Sequence, residues 1–153
     1  MKISKILSYA ILMSIIVLLG CKKDEVTPPT EEEKQLDLLV GTWSLGNGTV
    51  TLDGDDRAAD WAGFEVTFTD SKGYSTMNSF DDNVWPPAGT WSFQDATTDS
   101  GLNVLVRSDG INMNISSIST SSLTLNFDYL ITRINKNGRV ESIEGNWIFS
   151  LSK

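Results

Sequence analysis

The sequence predicts an all-β fold of about eight antiparallel strands, entered through one short helix. Three observations predict it. From Gly41 onward, apolar residues recur at every second position, the period of a strand with one wet and one buried face. Short polar turns rich in Gly, Asp and Asn separate these stretches. No long segment with helical spacing lies between them, which excludes parallel βαβ units.

The chain opens on a leader. Lys2 and Lys5 precede an apolar run over residues 6–19, broken only by Ser8, Tyr9 and Ser14. A basic region followed by an apolar run too short for a membrane span is the form of a secretory signal peptide. Leu18-Leu19-Gly20-Cys21 ends it and resembles a bacterial lipobox. That resemblance implies acylation of the Cys21 sulfur, palmitate being one expected chain, and cleavage before Cys21. Two or three acyl chains anchor a protein stably where one does not. The expected division is a signal peptide over 1–20, a lipidated tether over 21–30 and a β domain over 31–153.

The mature chain would then have 153 − 20 = 133 residues, with 10 basic against 20 acidic side chains. Lys22 follows the cysteine, so an inner-membrane retention Asp is missing there. Lys23-Asp24-Glu25 resembles the surface-export signal of Bacteroidota-type lipoproteins. The expected address is the outer membrane facing the cell exterior, with the periplasmic face as the alternative.

Pro28-Pro29 lies in a polar spacer, and Thr30-Glu31-Glu32-Glu33 has the form of a capping box. With Leu36, Leu39 and Val40 at helical spacing, this predicts a helix over 31–39 that plugs one end of the fold or stays a frayed tether. Strands are expected over 43–52, 64–69, 74–78, 90–94, 102–107, 111–116, 122–129 and 147–151. In the first, apolar parity flips between Trp43/Leu45 and Val50/Leu52, so Gly46-Asn47-Gly48 makes a bulge or a tight turn. Residues 131–145 form a long polar connection with Asn137-Gly138 at its centre, the mark of a protruding hairpin. Strands in this number solve the edge problem by closing into a barrel or by folding into two sheets, and periodicity does not choose.

Composition removes several chemistries. There is no histidine, so Ser-His-Asp and Cys-His catalysis and His-ligated metals are excluded. One cysteine excludes an internal disulfide framework. A net charge of −8 argues against binding nucleic acid. Asp53-Gly54-Asp55-Asp56 with Asp60 suggests Ca²⁺, but the EF-hand template fails at Arg57 and Ala58, so a solvated loop and no metal are expected. Glu65, Glu141 and Glu144 are the carboxylates a glycosidase would need, but a small barrel offers little cleft, so no catalytic residue is assigned. Trp61 and Trp85 fall in loops, where an indole either stacks on a glycan or partner or caps the barrel end as core. Trp61, Trp85 and Arg139 of the late hairpin are the candidate binding residues, loops being where binding usually resides.

Gly41-Thr42-Trp43 at the start of the first strand is similar to the Gly-x-Trp signature of lipocalins. Further pieces follow in order: Val50-Thr51-Leu52-Asp53-Gly54, Gly63 to Thr69, Val84-Trp85-Pro86-Pro87, Gly89-Thr90-Trp91-Ser92-Phe93, Arg107-Ser108-Asp109-Gly110, Ser122-Leu123-Thr124-Leu125 and Arg139 to Phe149. Together they resemble a family of small, lipocalin-like Bacteroidota-type lipoproteins, over roughly residues 40–153. The resemblance implies an eight-stranded up-and-down barrel with a short N-terminal helix. It implies no established reaction and no cofactor. Lipocalins also carry a late Arg that stacks on the first Trp; Arg133 and Arg139 are late but lie outside that pattern. The expected function is non-catalytic binding of a glycan or surface protein by a lipid-anchored module. The alternative is a carrier of a small hydrophobic ligand in the barrel mouth.

Overall fold

The computed structural model describes residues 27–130, 133–134, 140–141 and 143–153. Cys21, the leader and Arg139 lie outside the described residues.

Helix α1 spans Glu31–Leu39, with the capping box read from the sequence. The Glu33 amide donates to Thr30 Oγ1 at 3.2 Å, and the Thr30 amide donates to Glu33 Oε2 at 2.7 Å. Strands follow as β1 (Gly41–Leu52), β2 (Asp55–Asp56), β3 (Glu65–Phe68), β4 (Gly73–Met77) and β5 (Ala88–Phe93). A one-turn helix α2 (Asp99–Leu102) then leads to β6 (Val104–Arg107), β7 (Asn112–Ile118), β8 (Ser122–Tyr129), β9 (Arg133–Ile134), β10 (Val140–Glu141) and β11 (Gly145–Ser152).

Strands β1, β3, β4, β5, β6, β7, β8 and β11 pair antiparallel in that order, and β11 returns to pair with β1. This last ladder closes an eight-stranded barrel and decides against two sheets, because closure leaves no open edge. β2 pairs with the end of β1. β9 and β10 pair as Ile134 with Val140 and Arg133 with Glu141, the ribbon expected of a hairpin about Asn137-Gly138; its tip lies outside the described residues.

The parity flip in β1 is a bulge within one continuous strand. Ser44 faces Ser152 while Thr49 faces Ser150, so β1 advances five residues for two on β11. The odd difference of three swaps inward and outward positions, which buries both Trp43/Leu45 and Val50/Leu52. Gly48 is required there: a Cβ would stand 1.9 Å from the Ser150 carbonyl oxygen.

One correction concerns Leu102, expected to begin a strand. It instead closes α2 as a buried residue, because Thr98 caps that turn through the Gly101 amide at 3.2 Å.

Antiparallel order gives the barrel two distinct ends. The proximal end carries α1, the turns at 69–72 and 119–121, α2 and the C-terminus. Leu39, the last residue of α1, is buried, and Lys72 Nζ meets Glu32 Oε1 at 2.7 Å. Lys153 Nζ stands 4.4 Å from the Trp43 ring centroid and donates to the carbonyls of Leu38 (2.9 Å) and Val40 (2.7 Å). A cation over the indole and at the helix C-terminus is favourable on both counts. The distal end carries the long loops: 53–64, 78–87, 108–111 and the connection after β8.

Candidate functional site

The distal loops hold both candidate indoles, and both point inward. Trp61 and Trp85 are each 0% exposed, so the reading of either as a surface contact is corrected. Trp61 packs on Phe64, Trp147 and Phe149 with ring centroids 5.2, 5.6 and 4.9 Å away. Trp85 packs on Phe64, Tyr74, Phe127 and Phe149 at 5.6 to 6.0 Å. Tyr74 of β4 and Phe127 of β8 come from opposite walls of the barrel, so the two indoles occupy its distal interior. Burying large aromatic surfaces against each other, mostly edge to face, is strongly stabilising.

Local chemistry aims each indole. Before Trp61 the backbone rolls through successive turns: the Asp60 amide donates to Arg57 O, Trp61 to Ala58 O and Phe64 to Trp61 O, at 3.0, 3.2 and 2.9 Å. Gly63, at φ 75°, permits the final reversal, and Asn78 Nδ2 holds its carbonyl at 2.8 Å. Before Trp85, the Asp81 carboxylate accepts the Asn83 amide at 2.8 Å, and the Trp85 amide donates to Asp81 O at 2.9 Å. Ser79 Oγ donates to Trp85 O at 2.9 Å, and Thr76 Oγ1 donates to Pro86 O at 3.0 Å.

Arg107 is the one buried charged residue among the described residues. Its Nη1 donates to Val84 O at 2.6 Å; its Nε donates to Asp109 Oδ1 at 3.1 Å and its Nη2 to Asp109 Oδ2. Its guanidinium also lies over Trp85 at 5.4 Å and Phe127 at 5.9 Å. One cation therefore pins the Trp85 loop to the β6–β7 turn. Burial alone would raise the Asp109 pKa, but the hydrogen bonds and charge of Arg107 outweigh it and hold the carboxyl below its usual range. Burial pushes the Tyr74 phenol up. The sequence reading placed Arg107 only at the end of the strand over 102–107 and gave it no role. Its signal was the alternation Leu105-x-Arg107, which puts it on the inward face with Leu105.

The indole nitrogens divide into two groups. Those of Trp43, Trp91 and Trp147 donate to backbone carbonyls at 2.7, 3.1 and 3.0 Å. Those of Trp61 and Trp85 have no partner among the described residues. A buried donor left unpaired costs about 1–3 kcal/mol.

The acidic loop does not gather into a cation site. Asp53 accepts the Asn146 amide at 2.8 Å, Asp56 accepts the Ala58 amide at 2.9 Å, and Asp60 pairs with Arg57 at 2.6 Å. Among the described residues no three acidic or thiol groups converge as a metal would require. Glu65 lies on β3 opposite Met77, and Glu141 belongs to the β9–β10 ribbon.

Three large apolar side chains stand exposed among the described residues, all toward the distal end: Met77, Phe80 and Leu130. Leu130 borders a shallow groove of about 350 Å³ with Ile111, Asn114 and Asp128. Comparison with protein-family models, curated proteins and solved structures found no match to this chain.

Proposed function

We propose that the chain is a non-catalytic binding module, anchored to the outer membrane through lipid on Cys21, that engages its partner with the outer surface of its distal loops. One observation carries the reading: Trp61 and Trp85 occupy the distal interior at 0% exposure, which leaves the loop exteriors as the surface available for binding. The tether enters at the proximal end with α1, so the distal loops face away from the membrane. A second reading, a carrier of a small hydrophobic ligand, is favoured by the two unpartnered indole N–H groups, which an acceptor-bearing guest would satisfy.

The test is expression of the full chain with its own leader in a bacterium that processes lipoproteins. Metabolic labelling with a palmitate analogue should mark the wild type and fail on Cys21→Ser, which should leave the membrane fraction. External protease on intact cells should reach the distal loops. Label retained by Cys21→Ser overturns the anchor. An apolar small molecule extracted in stoichiometric amount from the purified chain overturns the surface reading in favour of the carrier.

A further inference from the structure

We infer that the distal rim around Met77 and Phe80 docks a cationic, amphipathic peptide segment of a partner protein. This rests on the surface-binding reading and names the chemistry of its partner. Met77 is 63% and Phe80 51% exposed, the first at the end of β4 and the second three residues on, in the β4–β5 connection. Among the described residues only Leu130 joins them as an exposed large apolar side chain, and an exposed apolar pair of this kind is what an interaction site leaves uncovered.

The pair is held in place. The Phe80 ring lies 5.9 Å from that of buried Trp61. Asn78, at φ 53°, ties this loop to Gly63 O, and Ser79 ties it to Trp85 O. A preorganised apolar contact loses little entropy on binding.

Charge selects the partner. Glu65 sits directly across the β3–β4 ladder from Met77, Asp81 and Asp82 follow Phe80, and Asp60 adjoins Trp61. Among the described residues Asp60 pairs with Arg57 and the Asp81 carboxylate accepts the Asn83 amide, while Glu65 and Asp82 meet no described cation. Cations placed around an apolar face would complement this rim, as opposite potentials across an interface favour and orient association. Anionic lipid headgroups, nucleic acids and acidic proteins would be repelled.

The probe is a fluorescent Leu/Lys amphipathic peptide, with its Leu/Glu counterpart as control, added to the full chain in neutral detergent and read by anisotropy. The Leu/Lys peptide should bind, and raised salt should weaken it. Phe80→Ser with Met77→Ser should weaken it at least about tenfold, as loss of a central apolar anchor does. Glu65→Gln with Asp82→Asn should flatten the salt dependence. Circular dichroism should show both variants folded, since every altered side chain lies at the surface or rim. Equal binding of the Leu/Glu peptide, indifference to the Phe80/Met77 change, or no binding at all overturns the inference. Capture of a neutral glycan instead, lost in Phe80→Ser, overturns the peptide partner while sparing the surface reading.

Discussion

Trp43 and Trp147 are the same device used once at each end of the barrel. Each indole N–H donates to the carbonyl four residues earlier, Leu39 O at 2.7 Å and Ile143 O at 3.0 Å. Each follows a glycine two residues before it, Gly41 at φ 130° and Gly145 at φ 139°. Each lies beneath a cation, Lys153 at 4.4 Å and Arg57 at 6.0 Å. Because β1 and β11 are antiparallel neighbours, one motif seals the proximal end and its repeat the distal end.

The two glycines are not equally replaceable. A Cβ on Gly145 would lie 2.3 Å from Asp53 Oδ2 and 2.7 Å from Leu52 Cδ1. A Cβ on Gly41 would meet the Lys153 side chain at 2.9 Å, and that chain end can move. Both also force a non-glycine residue into positive φ. Gly145→Ala should cost about 3 kcal/mol and Gly41→Ala about 1–2. Urea unfolding of both variants checks the order; equal losses would refute it.

Trp43→Phe and Trp61→Phe remove the same atoms from fully buried sites. The first breaks a hydrogen bond and strands Leu39 O; the second removes a donor with no described partner. Trp43→Phe should therefore be the more destabilising, by roughly 1–2 kcal/mol. Thermal unfolding at matched concentration measures the difference, and a larger loss for Trp61→Phe would mean its N–H is paired after all.

Asp109 links stability to acid. Its folded pKa is depressed, so the unfolded chain takes up its proton first as pH falls. Its contribution is fully present above the ordinary Asp pKa of about 3.9 and is lost as pH drops through the folded value. Asp109→Asn at neutral pH leaves Arg107 buried without its carboxylate, a loss of about 1–3 kcal/mol after allowing for the 40% exposure of the Asp109 side chain. The gap between wild type and variant should shrink as pH falls below 4 or so. A gap constant with pH would show that the pair adds nothing.

Lys153 fastens α1. Lys153→Met keeps the stem but removes the cation from Trp43 and the donors from Leu38 O and Val40 O. The expected loss is about 1–2 kcal/mol. Hydrogen exchange should quicken selectively over residues 31–40, and unchanged protection there would remove Lys153 from that role.

Much of the fold was legible. Leu123, Leu125, Phe127 and Tyr129 alternate with polar residues and are all buried in β8. Thr30 and Glu33 announced the helix start, and both sit in the capping box. These readings succeed because they depend on contacts a few residues apart or on a period of two. The site was less legible. Phe80 and Trp61 are both aromatic and both in loops, yet one is half exposed and the other sealed inside. No local rule separates them, since the difference lies in which wall of the barrel each loop meets.

The sequence alone determined the strand faces, the turns, the helix cap and the chemistries that the absence of histidine removes. Only the tertiary structure decided that the sheet closes through β11 on β1, that Lys153 lies over Trp43, and that Arg107 is pinned between Val84 O and Asp109. Each of these joins residues far apart along the chain, except the Arg107–Asp109 turn itself. A hydrophobic pattern specifies which side of a strand avoids water. It does not specify which distant strand, loop or chain end will cover it, because that is settled by closure of the whole barrel at once.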